Sequence, residues 1–255
     1  MKILKLGQML GGSNSPGGAP YENLYSINYD GVDDYLTLGN SAELSPNSSG
    51  ANRGYSLSIW VKSAASQYMF AYDSGKQFYL YVRWNGQPVM RFFGNNDANI
   101  WQQLNIDTSI ADGDWHHLAF TYNLGSTNSS IVGYLDGVQK TNGSGATYTS
   151  NGTWSAITNN GNLHMGGNVA GGTYDVSFQD EFAIFDDVLT ASQVTDIYNS
   201  GNTADLSSIP YLMGWWRMGD PTGTGAYPTI VDQSSNSNDG TMTNMVAGDI
   251  TTDVP

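Results

Sequence analysis

Three aspartates lie within five residues of one another, in the stretch Asp30-Gly31-Val32-Asp33-Asp34. Carboxylates this close repel one another unless a cation or hydrogen-bond donors neutralise them, and oxygen ligands of this kind suit Ca²⁺. The alternative is a plain turn at Asp30-Gly31, in which the aspartates accept hydrogen bonds from backbone N–H groups. The residues alone leave both interpretations open.

A carboxyl pair suited to glycoside hydrolysis is not evident. The acid and the nucleophile of a retaining glycosidase lie about 5–5.5 Å apart. Asp180 and Glu181 are neighbours in a predicted strand, so they should point to opposite faces, and Glu181 is too far from Asp187. The other glutamates, Glu22 and Glu43, lie in loop-like sequence. We therefore predict no catalytic residues and no enzyme activity.

The histidines do not form a predicted zinc site. His116 and His117 follow Trp115 in an alternating apolar stretch, His164 stands apart, and the chain has no cysteine. Two strands would have to bring the three histidines together, and their spacing does not require this. We interpret the stretch around His116 and His117 as a packing strand.

Aromatic side chains in polar loops are suited to stacking on sugar rings, with amides and carboxylates nearby as hydrogen-bond partners. Trp101 and Trp154 are the predicted stacking residues, and Trp84 and Tyr148 lie in similar surroundings. The tryptophans expected in the core are Trp60, Trp115 and Trp215.

The charge balance excludes two classes of partner. Nine basic and twenty-three acidic residues give the 255-residue chain a net charge of −14. Such a field repels phosphate backbones and anionic lipid headgroups. We predict no nucleic-acid or membrane partner.

Short alternating stretches dominate the sequence and predict an all-β protein. They cover residues 55–62, 77–84, 89–93, 115–122, 130–135 and 211–218. Asn85-Gly86 and Asp136-Gly137 supply the positive φ angles of two-residue type I′ hairpins. An antiparallel β-sandwich is the economical interpretation.

One short helix is predicted at 191–199. Thr190 and Gln193 form a capping box, Leu189 and Val194 have the spacing of a hydrophobic staple, and Gly201 should end the helix.

Three segments follow from these patterns. Residues 1–24 form a flexible arm rich in glycine and proline, 25–218 form the sandwich, and 219–255 form a C-terminal extension that packs on the sandwich or on a neighbour. The start of the chain has no signal-peptide pattern. The arm carries apolar residues with no core of their own, which we predict to bind a partner: Ile3, Leu4, Leu6, Met9 and Leu10.

Four segments together resemble the concanavalin A-like lectin/glucanase superfamily, in its LamG-like jelly-roll branch. They are INYDGVDDYL at 27–36, YSLSIWVK at 55–62, DWHHLAFTY at 114–122 with GYLDG at 133–137, and FQDEFAIFD at 178–186 followed by LTASQV at 189–194. The resemblance implies a jelly-roll sandwich. It also implies a structural calcium between loops at one end, carried here by Asp30, Asp34, Asp180 and Glu181.

The tail is unusual for this superfamily. MGWWRMGD at 213–220 and VDQSSNSNDGT at 231–241 look like the segment that normally precedes the first strand. Here they follow the last one, so this strand either closes the sandwich from the C-terminal side or pairs elsewhere.

The tail, the glycine-rich arm and the lack of a signal peptide are similar to virion structural proteins of marine bacteriophages. This resemblance implies a non-enzymatic capsid decoration or other exposed particle component, made in the host cytoplasm. Its expected partners are the major capsid protein and further copies of itself in a homo-oligomer. A carbohydrate-binding module for host or environmental glycans is the alternative.

Overall fold

The computed structural model describes residues 21–40, 44, 54–64, 68–72, 78–93, 100–123, 131–152, 162–219 and 225–255. Within these ranges the chain forms short strands and one α-helix. The strands are β1 (Ser26–Asn28), β2 (Tyr35–Asn40), β3 (Tyr55–Ser63), β4 (Tyr68–Tyr72), β5 (Phe78–Val82), β6 (Pro88–Phe93), β7 (Trp101–Ile106), β8 (Trp115–Tyr122), β9 (Ile131–Leu135), β10 (Val138–Asn142), β11 (Gly145–Asn151), β12 (Asn162–Met165), β13 (Gly167–Asn168), β14 (Thr173–Tyr174), β15 (Ser177–Phe185), β16 (Leu212–Trp216), β17 (Gly225–Ala226), β18 (Thr229–Ile230), β19 (Gly240–Thr243) and β20 (Ile250–Thr251). The helix, α1, spans Ala191–Tyr198.

The first sheet is built around β15. Its partner on one side is β3, which continues to β8, β9 and β10, and its partners on the other side are β1 and β16. β20 adds to the free edge of β1. All of these pairings are antiparallel, and strands from both ends of the described chain complete the sheet.

The second sheet runs in the order β17, β18, β19, β2, β12, β4, β5, β6, β7 and β11, with every pair antiparallel. A short parallel contact between β10 and β11 links the two sheets. β13 and β14 form a separate two-stranded hairpin.

The main core lies between the sheets, as the alternation predicts. On β15, Phe182 and Ile184 are buried among the residues of both sheets, whereas Ala183 and Phe185 belong to a second apolar cluster with Val194 of α1. The helix therefore covers the outer face of the first sheet. The predicted all-β jelly-roll sandwich with one short helix is confirmed.

The local signals for α1 are also confirmed. The Thr190 hydroxyl accepts from the Gln193 backbone N–H at 3.2 Å, and Gln193 Oε1 accepts from the Thr190 backbone N–H at 2.8 Å. Asn199 ends the helix in the left-handed conformation, so the helix is one residue shorter than predicted. In the described part of the chain, no helix has the length and apolar character needed to cross a membrane.

The two predicted hairpin turns differ. Asp136 and Gly137 have φ angles of 50° and 73° and join Leu135 directly to Val138, as a type I′ turn requires. The loop at Asn85-Gly86 is longer than the predicted two residues, because the Gly86 N–H donates to the Arg83 carbonyl and β6 begins only at Pro88.

The C-terminal part of the chain completes this sandwich rather than pairing elsewhere. β16 pairs with β15, β19 with β2 and β20 with β1. Met242 of β19 is 5% exposed and lies opposite Leu36. The tail thus supplies core residues to the second sheet.

Met242→Ala should therefore lower the free energy of unfolding by about 2–5 kcal/mol, because it removes a buried side chain and leaves a cavity. Thr241→Ala, on the exposed face of the same strand, should cost less than about 1 kcal/mol. Denaturant unfolding of both variants measures the difference. Equal small losses would contradict the placement of β19 in the core.

Candidate functional site

The three aspartates of the predicted calcium loop come together after β1. One carboxylate oxygen from each of Asp30, Asp33 and Asp34 lies within 4.8 Å of the others. Asp30 and Asp33 are exposed, whereas Asp34 is buried. Asp34 Oδ2 accepts from the Asp30 N–H at 3.2 Å, and Asp30 Oδ1 accepts from the Val32 N–H at 2.8 Å. The aspartates therefore accept the backbone hydrogen bonds of a turn, and their carboxylates also form a cluster that could hold a cation.

Electrostatics favours a positive charge at this loop. Burial, helped by the negative charges of Asp30, Asp249 and Asp33, raises the pKa of Asp34 to about 6, although the hydrogen bond from the Asp30 backbone acts in the opposite direction. A nearby carboxyl, Asp175, is fully buried, and burial raises its pKa to about 7. A bound cation would relieve the repulsion at Asp34.

The predicted four-residue calcium set is divided in the structure. Asp30 and Asp34 lie in the aspartate loop, whereas Asp180 and Glu181 lie in β15 and contact the segment 21–23. Among the described residues, the third member of the cation-like group is Asp33 instead. Asp33 takes this place because it belongs to the same tight turn as Asp30 and Asp34.

Asp180 and Glu181 lie on the outer face of the first sheet. The Tyr21 hydroxyl donates to Glu181 Oε1 at 2.7 Å, and Asn23 Nδ2 donates to Asp180 Oδ2 at 2.7 Å. The pairing of β15 with β3 is bulged between Asp180 and Ala183, and Glu181 has a φ of 50°. The prediction that the two carboxyls point to opposite faces is wrong, because the bulge breaks the alternation.

Two residues of the β16 region complete the surroundings of these carboxyls. Trp215 Nε1 donates to Glu181 Oε2 at 2.6 Å, and Arg217 Nε lies 3.4 Å from Glu181 Oε1. Arg217 Nη2 donates to the Glu22 carbonyl at 2.6 Å, and its guanidinium lies 4.3 Å from the centre of the Tyr21 ring. We call the side chains of this group the carboxylate anchor; they are Tyr21, Asn23, Asp180, Glu181, Trp215 and Arg217.

The carboxylate anchor is suited to packing rather than to turnover. Burial raises the pKa of both carboxyls, and repulsion from Glu181 adds to this at Asp180, while Arg217 acts in the opposite direction. Asp180 is 0% and Glu181 3% exposed. Both carboxyls are covered by protein, so neither faces a space that a sugar ring could enter.

The histidines occupy separate environments. His117 is buried beneath α1, and burial lowers its pKa to about 4, so its ring is neutral at pH 7. His116 lies between Asp112 and Asp136, at 3.1 and 2.9 Å, and its pKa is raised, chiefly by the hydrogen bond with Asp136. His164 lies in the second sheet. Among the described residues they form no cluster of metal ligands.

A different surface combines aromatic and polar groups: the outer face of β5, β6, β7 and β11. Residues opposite one another in a sheet share a face. The register places Tyr79, Arg91, Gln103 and Thr149 in one row across the four strands. Adjacent rows add further residues, and the whole set, which we call the aromatic-polar face, is Tyr79, Tyr81, Arg91, Phe93, Trp101, Gln103, Asn105, Thr147 and Thr149.

Arg91 is the centre of this face. Its guanidinium lies 4.6 Å from the centre of the Trp101 ring and 5.9 Å from that of Phe93. Its Nε donates to Gln103 Oε1 at 2.6 Å, and its Nη2 lies 3.4 Å from the Tyr81 hydroxyl. These contacts hold the guanidinium in one orientation against the sheet.

The structure describes only some of the residues that we predicted to stack on sugars or to bind a partner. Trp101 lies at the start of β7 on the aromatic-polar face and is partly exposed. Trp84 lies in the β5–β6 loop and is 86% exposed. Trp154 and the predicted partner residues Ile3, Leu4, Leu6, Met9 and Leu10 lie outside the described residues.

No sequence signal indicates the roles of Arg91 and Gln103. Both lie in alternating stretches, but the register that brings them together depends on the pairing of β6 with β7. The grouping of the carboxylate anchor could not be predicted for the same reason, since Asn23 and Asp180 are 157 residues apart.

Comparisons with known proteins agree with the observed fold. A family model described as the concanavalin A-like lectin/glucanases superfamily matches residues 30–195. A search of curated proteins finds no match.

Several solved structures are similar to this chain at low sequence identity. A protein from Bacteroides ovatus with a proposed role in carbohydrate binding is 13% identical, with a TM-score of 0.56 over 90% of this chain and 60% of that protein. A heptameric SAP-like pentraxin from Limulus polyphemus is 15% identical, with a TM-score of 0.45 over 69% of this chain and 82% of its own. Domains LG4-5 of the mouse laminin alpha1 chain are 13% identical, with a TM-score of 0.47 over 75% of this chain and 48% of theirs.

Calcium at the aspartate loop stays a prediction with a direct test. Millimolar calcium should raise the melting temperature of the protein by about 3 °C or more, because an ion that binds only the folded state stabilises it. Asp34→Asn should abolish the rise, and Asp196→Asn, which removes an exposed carboxylate from α1, should retain it. A melting temperature that EDTA and calcium leave unchanged would contradict the site.

Proposed function

Because the chain belongs to the concanavalin A-like lectin/glucanase superfamily, we propose that it is a non-catalytic glycan-binding protein that uses the aromatic-polar face. The observation that carries this proposal is the row of side chains across β5, β6, β7 and β11. It places partly exposed aromatic rings beside amide and hydroxyl groups on one rigid sheet.

The chemistry of this face suits a sugar. Pyranose rings present C–H groups that pack on aromatic faces and hydroxyls that need hydrogen-bond partners. Trp101 supplies a partly exposed ring at one end of the face, and Thr149 supplies an exposed hydroxyl. The amides of Gln103 and Asn105 lie in the adjacent rows and are buried, at 5% and 6% exposed. Gln103 Nε2 donates to Asn105 Oδ1 at 2.6 Å, which fixes both amides in place.

The positions of the acidic groups favour binding over hydrolysis. The adjacent carboxyls Asp180 and Glu181 belong to the carboxylate anchor on the first sheet and are covered by the segment 21–23. The aromatic-polar face itself carries no carboxylate in its three rows. A pair of carboxyl groups is what most glycosidases require.

Trp101→Ala should weaken binding to a glycan by about tenfold, which corresponds to about 1.4 kcal/mol. The matched control is Trp84→Ala, which removes a more exposed tryptophan outside the three rows and should leave the affinity unchanged. A polysaccharide microarray identifies the ligand, and calorimetry on both variants measures the affinity. Equal losses, or losses in the control alone, would place the ligand elsewhere.

We further propose that the protein is an exposed component of a bacteriophage particle, held there by its arm. The supporting observation is the carboxylate anchor, which fixes residues 21–23 to the first sheet, on the opposite side of the sandwich from the aromatic-polar face. An arm that departs from this point can bind a neighbouring subunit, such as the major capsid protein or another copy, while the other face stays free for glycans. Docking an arm costs conformational entropy that apolar burial must offset.

Deleting residues 2–18 should abolish attachment to the particle and leave the thermal transition of the sandwich unchanged. Quantitative mass spectrometry of gradient-purified virions, relative to the major capsid protein, measures the attachment. Hundreds of copies would indicate a capsid decoration protein, and a handful a tail or fibre component. Absence from the particle would refute the virion role and leave the glycan-binding role intact.

A further inference from the structure

The aromatic-polar face carries one fixed positive charge in an acidic protein. The chain has 9 basic against 23 acidic residues. In the described ranges Lys62 forms an ion pair with Asp253, and Arg217 forms one with Glu181. No carboxylate of these ranges pairs with Arg91. An arginine held on a ligand-facing surface without an acidic partner is a recognition element for an anion.

The contacts of Arg91 show which of its N–H donors are already used in hydrogen bonds within the protein. Nε is used by Gln103, and Nη2 makes a long contact with Tyr81. Among the described residues, none accepts a hydrogen bond from Nη1. The end of the guanidinium formed by Nη1 and Nη2 therefore retains donors in the forked geometry that matches a carboxylate.

The surroundings strengthen this donor pair. The guanidinium lies over the Trp101 ring, near Phe93, and the hydrogen bond to Gln103 fixes its rotation. A preorganised guanidinium loses less side-chain entropy when it binds a ligand.

We propose that Arg91 binds the carboxylate of an acidic sugar residue, of the hexuronic acid class, within an otherwise neutral glycan. This inference rests on the proposed glycan-binding function and names the class of its ligand. A single carboxylate matches the one guanidinium, while Trp101 stacks on the same or the adjoining ring. A densely sulfated or phosphorylated polymer is disfavoured, because the net charge of −14 repels a polyanion.

The test uses a panel of oligosaccharides that carry one hexuronic acid each, paired with their methyl esters, on the full chain. The ester keeps the ring and removes the charge. The wild-type protein should bind the acids about tenfold more tightly than the esters. Arg91→Gln should abolish this ratio, and Arg91→Lys should retain only part of it, because lysine keeps the charge and loses the fork.

The matched control is Arg83→Gln, which changes the net charge equally at the β5–β6 loop and should preserve the acid-to-ester ratio. Equal binding of acids and esters that still depends on Trp101 would overturn the role of Arg91 and leave the proposed function standing. Tighter binding of a sulfated oligosaccharide of the same length would overturn the carboxylate assignment. If the protein binds no member of the panel, the inference is overturned. The polysaccharide microarray then tests the proposed glycan-binding function separately, because it also contains neutral glycans. If Arg91→Gln fails to fold, Arg91→Lys decides, because a lysine variant that keeps the full acid-to-ester ratio would overturn the role of the guanidinium fork.

Discussion

Two adjacent carboxyl groups buried on the outer face of the first sheet impose the strictest requirement in this structure. Buried carboxyls are costly unless donors surround them, and this pair takes its donors from two separate parts of the chain. Tyr21 and Asn23 reach it from before β1, and Trp215 and Arg217 from β16. The position of β16 beside β15 and the path of the chain into β1 both follow from satisfying this pair.

The same requirement divides the two outer faces of the sandwich. The first sheet is covered by α1, by the loop after it and by the segment at Tyr21, which together form the second apolar cluster. Among the described residues no helix packs on the β5–β11 part of the second sheet, and the outward rows there include aromatic, amide and hydroxyl side chains together with Arg91. The outer face of the first sheet thus supports the fold, and the outer face of the second sheet is the one on which we propose that a ligand binds.

Local signals predicted the structure well wherever neighbouring residues decide it. The capping box of Thr190 and Gln193 needs only three residues of spacing, and Asp136-Gly137 needs only its own φ angles. The bulge at Glu181 is different, because its left-handed backbone is stabilised by partners far away in sequence. Alternation alone therefore assigned this side chain to the wrong face.

The candidate site shows the same limit. Trp101 was identified from its residue type and its polar neighbours, which are visible in sequence. Arg91 was not, because its role depends on Gln103 and Trp101 lying opposite on the next strand. Of the residues predicted to hold calcium, Asp30 and Asp34 lie together in one turn, whereas Asp180 and Glu181 lie apart from them in β15. Calcium binding itself stays a prediction.

The pairing of the first strands with the last ones also governs how the chain folds. The Ser26 hydroxyl donates to the Asp253 carbonyl across 227 residues of sequence, β1 lies between β15 and β20, and β2 lies between β12 and β19. Contacts this distant must pay a large loop-closure entropy before they contribute stability, which places folding in the millisecond-to-second range typical of β-sandwiches. Until the C-terminal strands arrive, the edges of β1 and β2 are open to pairing with other chains. When the protein is synthesised at high concentration, pairing of the C-terminal strands with β1 and β2 therefore competes with aggregation through these open edges.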